Sequence, residues 1–191
     1  MTIIGMSIYF LRHVKTVDNL NGKISGRSDS PTLPGQILRI SCNIEKQFDK
    51  IYCSPYKRCR DTIALLPSTL QRNVCYEPAL IERSLGILEG MERIDAIHRF
   101  PQLFENDKLK VDSQVPGGES VEEVKQRIGT IVDTLTAYTN RKKQILVCSH
   151  NQTLKILLAE LKRIPITNHY WQTVNFKNGE LACVDTFLEP Y

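Results

Sequence analysis

No stretch of this chain is apolar over the length needed to cross a bilayer, so membrane insertion is not expected. Its first residues lack a basic segment followed by a long apolar one; no secretory signal is read, and a cytoplasmic location is expected. Six cysteines, Cys42, Cys53, Cys59, Cys75, Cys148 and Cys183, are scattered and never form a C-x-x-C pair. That spacing gives no zinc or dithiol redox site, and reduced thiols packed as small apolar groups are the expectation. Internal repeats, low-complexity tracts and long linkers are missing too. The formal charge is only +4 and is spread along the chain, which leaves no footprint for nucleic acid and suits a small anionic substrate. What is left is an ordinary globular composition, 41% hydrophobic and 24% charged, over 191 residues: one domain with a sizeable core.

Three apolar runs stand out, and each ends abruptly in basic residues. Ile8-Tyr9-Phe10-Leu11 meets Arg12-His13; Ile51-Tyr52-Cys53-Ser54-Pro55 meets Lys57 and Arg58; Ile145-Leu146-Val147-Cys148-Ser149 meets His150. Their length and their branched or aromatic content are those of buried strands. Helical patterns follow them in turn. After Pro34, Ile37, Ile40, Ile44 and Phe48 recur at helical spacing. Arg58 to Leu66 predicts a short helix stopped at Pro67, and Ala96 to Phe100 another. Val121, Val124, Ile128, Ile131, Val132 and Leu135 mark a long amphipathic helix; Leu154, Leu157, Leu158 and Leu161 mark one that ends before Pro165. Asn178-Gly179, between Val174–Phe176 and Leu181–Phe187, predicts a hairpin. Strands alternating with helices predict an α/β fold around a largely parallel sheet. Asn19 to Leu33 and Glu105 to Gly118 are polar and predict long loops, on which sites are often built.

In an open α/β sheet, ligands bind where the strands end. Three adjacent strand ends would gather two histidines and two arginines. The arginine fork matches phosphate geometry. A neutral imidazole can attack phosphorus when its other nitrogen is held by an acceptor. An Arg-His pair alone is more often plain surface, so the surrounding sequence has to decide.

The motifs around it carry a resemblance. Leu11-Arg12-His13-Val14-Lys15-Thr16, followed by Asn19 and Ser25-Gly26, resembles the L-R-H-G-x-T…N…[ST]-G signature of the histidine phosphatase superfamily, the phosphoglycerate mutase-like proteins. Ser54 to Thr62 is similar to that family's S-x-x-x-R-x-x-x-T element, and Glu82 to Gly90 to its E-x-x-x-G-x-x-E-G. Pro116-Gly117-Gly118-Glu119-Ser120 resembles the G-G-E-S that opens a helix, and Val147-Cys148-Ser149-His150 the second-histidine motif. The motifs keep the family's order and span nearly the whole chain.

The resemblance implies a three-layer α/β/α sandwich around a mostly parallel mixed sheet, in a single domain over 1–191 with a small lid-like insertion at about 91–118. It implies that His13 is the nucleophile and forms a phosphohistidine. Arg12, Arg58 and His150 would clamp the phosphoryl oxygens, and Glu82 would give a proton to the leaving oxygen and then help to activate water. Asn19, Ser25 and Gly26 match substrate- or phosphate-contacting positions, and Asn151 could add a donor. Side chains carry the charge, so no metal and no other cofactor is required; the partner is a small phosphorylated substrate. The expected activity is a metal-independent phosphomonoesterase acting on a small cytosolic phosphate ester. A phosphoglycerate mutase-type phosphotransferase and a low-activity phosphate-binding regulatory relative are the alternatives. Between Gly90 and Gly118 the only basic residues are Arg93, Arg99, Lys108 and Lys110, which is poor in the extra cations of the mutases. Three positions depart from the pattern: Val14 replaces a glycine, Lys15 stands where glutamate is common, and Asn151 replaces a glycine. Arg60 reads as a solvated helix residue, Glu89 as structural, and His98, His169, Tyr170 and Trp171 as surface or packing groups.

Overall fold

The computed structural model describes residues 7–41, 44, 47–138 and 143–184. In chain order the elements are β1 (Ser7–Arg12), α1 (Val17–Leu20), β2 (Arg39–Ile40), β3 (Lys50–Cys53), α2 (Lys57–Ala64), β4 (Val74–Tyr76), α3 (Arg93–Arg99), β5 (Phe104–Glu105), β6 (Lys108–Leu109), α4 (Val121–Tyr138), β7 (Gln144–Ser149), α5 (Asn151–Lys162), α6 (Asn168–Thr173) and β8 (Glu180–Cys183). Short 3-10 turns join several of them. The main sheet has the order β2-β8-β1-β7-β3-β4. All its pairings are parallel except β1 with β8. The sheet is therefore mixed and mostly parallel, as the alternation of strands and helices predicts.

Strand β1 sorts its side chains by the two-residue period of a strand. Ile8 and Phe10 join Ile145, Val147 and the buried sides of α4 and α5 on one face, including Val124, Ile128, Leu135, Leu154 and Leu157. Tyr9 and Leu11 join Ile51, Cys53, Leu146 and Cys148 on the other, where Cys59 and Ile63 of α2 close over them. Helices thus cover both faces, giving three layers, and the central strands read as continuous apolar runs because neither face meets water. The predicted helices over 58–66, 96–100, 121–135 and 154–161 are present as α2, α3, α4 and α5. Residues 91–118 carry α3 and the β5–β6 hairpin. Their apolar side chains, with Leu85, Leu88 and Ile24, make a third cluster of their own. The hairpin turns at Asn106 and Asp107, both at positive φ (48° and 59°), a primed-turn geometry that short polar residues tolerate.

Two expectations fail. The helix after Pro34 does not form in the described residues: Arg39–Ile40 is an edge strand, with Arg39 N donating to Gly179 O and Ser41 N to Leu181 O. Ile37 is 84% exposed and Ile40 50%, while Ile44 and Phe48 pack on the core, so the four residues do not share one buried face. Residues 42, 43, 45 and 46 of that stretch lie outside the described residues, as do 185–187 of the last predicted strand. Asn178-Gly179 does make a turn, with Gly179 at φ 70°, but Val174–Phe176 is not its partner strand. The backbone of Phe176 is engaged elsewhere: its N–H donates to Asn151 Oδ1 (3.0 Å) and its carbonyl accepts from Arg12 Nη1 (2.7 Å). Its ring meets Phe10 edge-on at 5.7 Å. β8 pairs instead with β1 and β2.

Candidate active site

The three adjacent strands β1, β7 and β3 end at one level. His13 N donates to Ser149 O (3.1 Å) and Ser54 N to Cys148 O (2.9 Å), which holds the strand ends together. Arg12 and His13 leave β1, His150 forms the N-cap of α5 straight after β7, and Arg58 sits in the first turn of α2 after β3. A cavity of about 110 Å³ opens here. Arg12, His13, Asn19, Ser25, Gly26, Arg58, Glu82 and Asn151 all line it; of the residues singled out in the sequence only His150 does not. Lys23 and Arg93 also face the cavity, so four cationic side chains stand against the single carboxylate of Glu82.

His13 is 5% exposed. Its Nδ1 lies 2.7 Å from the carbonyl of Val14. A carbonyl can only accept, so Nδ1 carries the proton and Nε2 keeps its lone pair. Burial, with Arg12 and Arg58 close by, holds the imidazole well below the ordinary histidine range. The ring is neutral at neutral pH, as a nucleophile must be. Val14 supplies this acceptor through its backbone, and its own N–H donates to Thr62 Oγ1 (2.9 Å). Val14 is not among the described non-glycine residues at positive φ, so valine holds the loop conformation without strain. Its side chain has room because residue 179 is glycine: a Cβ there would lie 3.3 Å from Val14 Cγ1.

His150 is fully buried with its ring centre 5.2 Å from that of His13. Arg58 Nε donates to its Nδ1 at 3.1 Å, which places the proton on Nε2, 2.9 Å from Ser54 Oγ. Burial, then Arg58 and His13, lowers its pKa well below the usual value. In this arrangement His150 stands behind Arg58 and orients it. Arg58, 1% exposed, spends its other donors on the loop facing it: Nη2 on Gly26 O (2.8 Å) and Nη1 on Ser28 O. Its guanidinium stacks over the Tyr56 ring at 4.9 Å. Arg60 points away and lies over Tyr76, as a solvated helix residue does. Arg12 donates to Phe176 O, and its Nε is buried with no partner among the described residues. Burial lowers the Arg12 guanidinium to about 10; Glu82 opposes that and Arg58 adds to it.

Glu82 rests on the first turn of α5. Its Oε1 accepts from the amides of Arg83 (2.9 Å) and Thr153 (3.1 Å), while Oε2 has one long contact, from Gln152 N at 3.4 Å. Asn19 Oδ1 accepts from Thr16 N (3.2 Å) and from Asn178 Nδ2 (3.2 Å), so its orientation is fixed from two sides. Ser25 Oγ is buried and, like Arg12 Nε, has no partner among the described residues. Gly26 sits at φ 48°, and a Cβ there would collide with the Glu89 carboxylate, so glycine is required twice over. Glu89 is structural: its Oε1 accepts from Leu85 N (2.8 Å) and Ser84 Oγ (3.2 Å). Glu119 binds Arg27 (2.6 Å) and Arg127 (3.0 Å), and Ser120 forms a reciprocal cap with Glu123 at the start of α4.

Residues 8–187 match the sequence model of the histidine phosphatase superfamily, branch 1. The chain belongs to this superfamily. It is 25% identical to the probable phosphoglycerate mutase GpmB of Yersinia pestis (strain Pestoides F) over 192 residues, covering 97% of this chain and 87% of that protein. Among solved structures, it is similar to the mycobacterial glucosyl-3-phosphoglycerate phosphatase, with a TM-score of 0.75 at 18% identity over 93% of this chain and 91% of that one. It is similar also to the α-ribazole phosphatase of Shigella flexneri, with a TM-score of 0.71 at 22% identity over 93% and 89%. These likenesses establish the fold.

Sequence reading passed over several residues that this superfamily member uses around the cavity. Asn178, whose Nδ2 donates to His13 O (2.9 Å) as well as to Asn19, reads only as a turn residue. Thr62 falls within a quoted motif, but nothing in the motif gives it the Val14 amide. Lys23 and Gln152 carry no signal beyond their type. Among the described residues no helix is long and apolar enough to cross a membrane, and no disulfide joins the five described cysteines; Cys42 lies outside them.

Proposed function

We propose that the protein is a phosphomonoesterase that hydrolyses a small phosphate ester through a phosphohistidine on His13. The observation that carries this reading is the pairing of His13 Nδ1 with Val14 O inside a cation-lined cavity, which leaves Nε2 as a free, neutral nucleophile. Attack by Nε2 forms the N–P bond while the bond from phosphorus to the ester oxygen breaks. Glu82 delivers a proton to the departing oxygen, Oε2 being the less engaged of its two oxygens. As the imidazole gains positive charge, the Val14 carbonyl on Nδ1–H stabilises it. Arg12 and Arg58 neutralise the charge spread over the phosphoryl oxygens. In the second half, Glu82 takes a proton from water, whose oxygen displaces His13 and releases inorganic phosphate. Side chains supply all the positive charge in this scheme, so it is written without a metal.

The test is phosphate release from a chromogenic aryl phosphate and a panel of small phosphate esters, with a metal chelator present. Turnover that persists under chelation is expected. A folded sample that releases no phosphate from any of them overturns the proposal. Interconversion of phosphoglycerate isomers in place of phosphate release would assign the site to a phosphotransferase instead.

A further inference from the structure

Beside the phosphate cavity lies a second one, of about 440 Å³. Arg93, Asn151 and Gln152 line both, so the two adjoin. Its floor is α5 and its far wall is the C-terminal end of α6. Two ammonium groups meet there. Lys155 Nζ donates to Trp171 O (2.8 Å) and lies over the Trp171 ring at 5.0 Å; Lys108 Nζ donates to Gln172 O (2.7 Å). The last carbonyls of a helix attract cations, and that accounts for one donor of each lysine. It does not account for the rest. Lys155 is 7% exposed, and a buried ammonium with a single hydrogen bond is costly. Burial, and then Lys108, lowers it to about 8, with Glu82 opposing and Arg12 adding. Glu82 and Arg12 thus act on Lys155 across the boundary between the cavities. The side-chain amide of Gln172 is a second, separate anomaly: both Nε2 and Oε1 are buried with no partner among the described residues. Asp107 is the only acidic residue in the lining.

We infer that this cavity receives the leaving group of the ester and is built to hold a second anionic group on it, a phosphate or a carboxylate, between Lys155 and Lys108 with the Gln172 amide as a further donor. The inference rests on the phosphomonoesterase reading above and narrows its substrate class to esters whose alcohol part is itself anionic. A cationic or purely apolar leaving group would give neither ammonium an anionic partner, and the buried Lys155 would keep its single hydrogen bond. An anion there would satisfy the free donors of both lysines at once.

The experiment compares matched ester pairs on the purified protein. Phosphoglycolate against ethyl phosphate isolates a carboxylate, and propanediol bisphosphate against propyl phosphate isolates a second phosphate. In the wild type, kcat/KM should favour the anionic member of at least one pair by about tenfold to a hundredfold, the range of a charge-assisted hydrogen bond; the pair with the larger ratio names the group. In Lys155→Met that ratio should fall by about tenfold or more. Lys108→Met, at an exposed position and so free of folding effects, should lower it in the same direction. Phosphate release with ratios near one in the wild type, or ratios untouched by both substitutions, overturns this inference and leaves the phosphomonoesterase reading standing. No release from any ester, aryl phosphate included, overturns both.

Discussion

Position 14 holds a buried valine where the family signature has glycine, and the two hydrogen bonds that residue 14 makes beside His13 both come from its backbone. The carbonyl fixes the His13 tautomer, and the N–H is tied to Thr62. Neither needs the side chain, which packs against Gly179 instead. Val14→Gly should therefore keep aryl phosphate turnover to within about tenfold while lowering stability by about 2–3 kcal/mol, the loss of a buried valine plus the added freedom of the unfolded chain. Urea unfolding and a turnover assay on the same sample check this; a collapse of activity at unchanged stability would show the side chain to be part of the machinery. His13→Ala should lower turnover by about a thousandfold or more and leave the far-ultraviolet spectrum of the fold intact. Retained turnover would remove the phosphohistidine mechanism. The roles of these residues were only half legible. The strand-end position and the motif order single out His13, Arg12, Arg58, Glu82 and His150 without a structure. That His150 Nδ1 accepts from Arg58 while its Nε2 meets Ser54 depends on where two ring nitrogens point, and no spacing encodes that.

Helix α2 and the loop before β2 fix each other at the scale of elements. Tyr56, the residue preceding the helix, gives no side-chain cap. Asp29, from the loop, does so in its place: its carboxylate accepts from Lys57 N (2.6 Å) and Arg58 N (3.3 Å). In return Arg58 reaches back to the carbonyls of Gly26 and Ser28. The loop that carries Ser25 and Gly26 is thus anchored to the helix that carries Arg58. Asp29→Ala should cost about 1 kcal/mol through the lost cap, and should raise KM for the aryl phosphate more than it lowers kcat. Steady-state kinetics with a thermal melt check both; an unchanged KM would mean that the loop is held without Asp29. No local pattern links residue 29 to a helix starting at 57, so this contact could not be foreseen. The same limit explains the failed helix after Pro34. Apolar residues at helical spacing predict a helix only if they share one buried face, and here Ile37 and Ile40 stay largely exposed while Phe48 is buried; β8 offers the backbone of Arg39 and Ile40 an open edge instead. Long amphipathic patterns such as 121–135 were legible because the buried face and the period agree over several turns.

For the molecule as a whole, burying two neutral histidines beneath two arginines makes stability depend on pH in a stated window. His13 and His150 both have pKa values well below 6.5 in the folded protein. Above about pH 6.5 neither the folded nor the unfolded chain protonates them, and they add no slope. Below it, the unfolded chain takes up protons that the folded one refuses, so stability falls as pH falls. The slope approaches about 1.4 kcal/mol per pH unit for each histidine, until the folded-state values are reached. The carboxylates held below their ordinary range, Asp49, Asp61, Glu119 and Glu123, add their losses only nearer pH 4, because the unfolded chain protonates them there. Urea unfolding midpoints should thus fall between about pH 6.5 and 5, and His13→Asn should roughly halve that fall. Turnover behaves differently, since it needs only the folded protein with a neutral His13, and that form persists below pH 6.5. The acid limb of kcat should lie on the acid side of the window in which stability falls, because the folded protein holds His13 neutral there. A midpoint that stays level from pH 7 to 5 would mean that both imidazoles protonate in place, and the neutral nucleophile on which the mechanism depends would be lost with it.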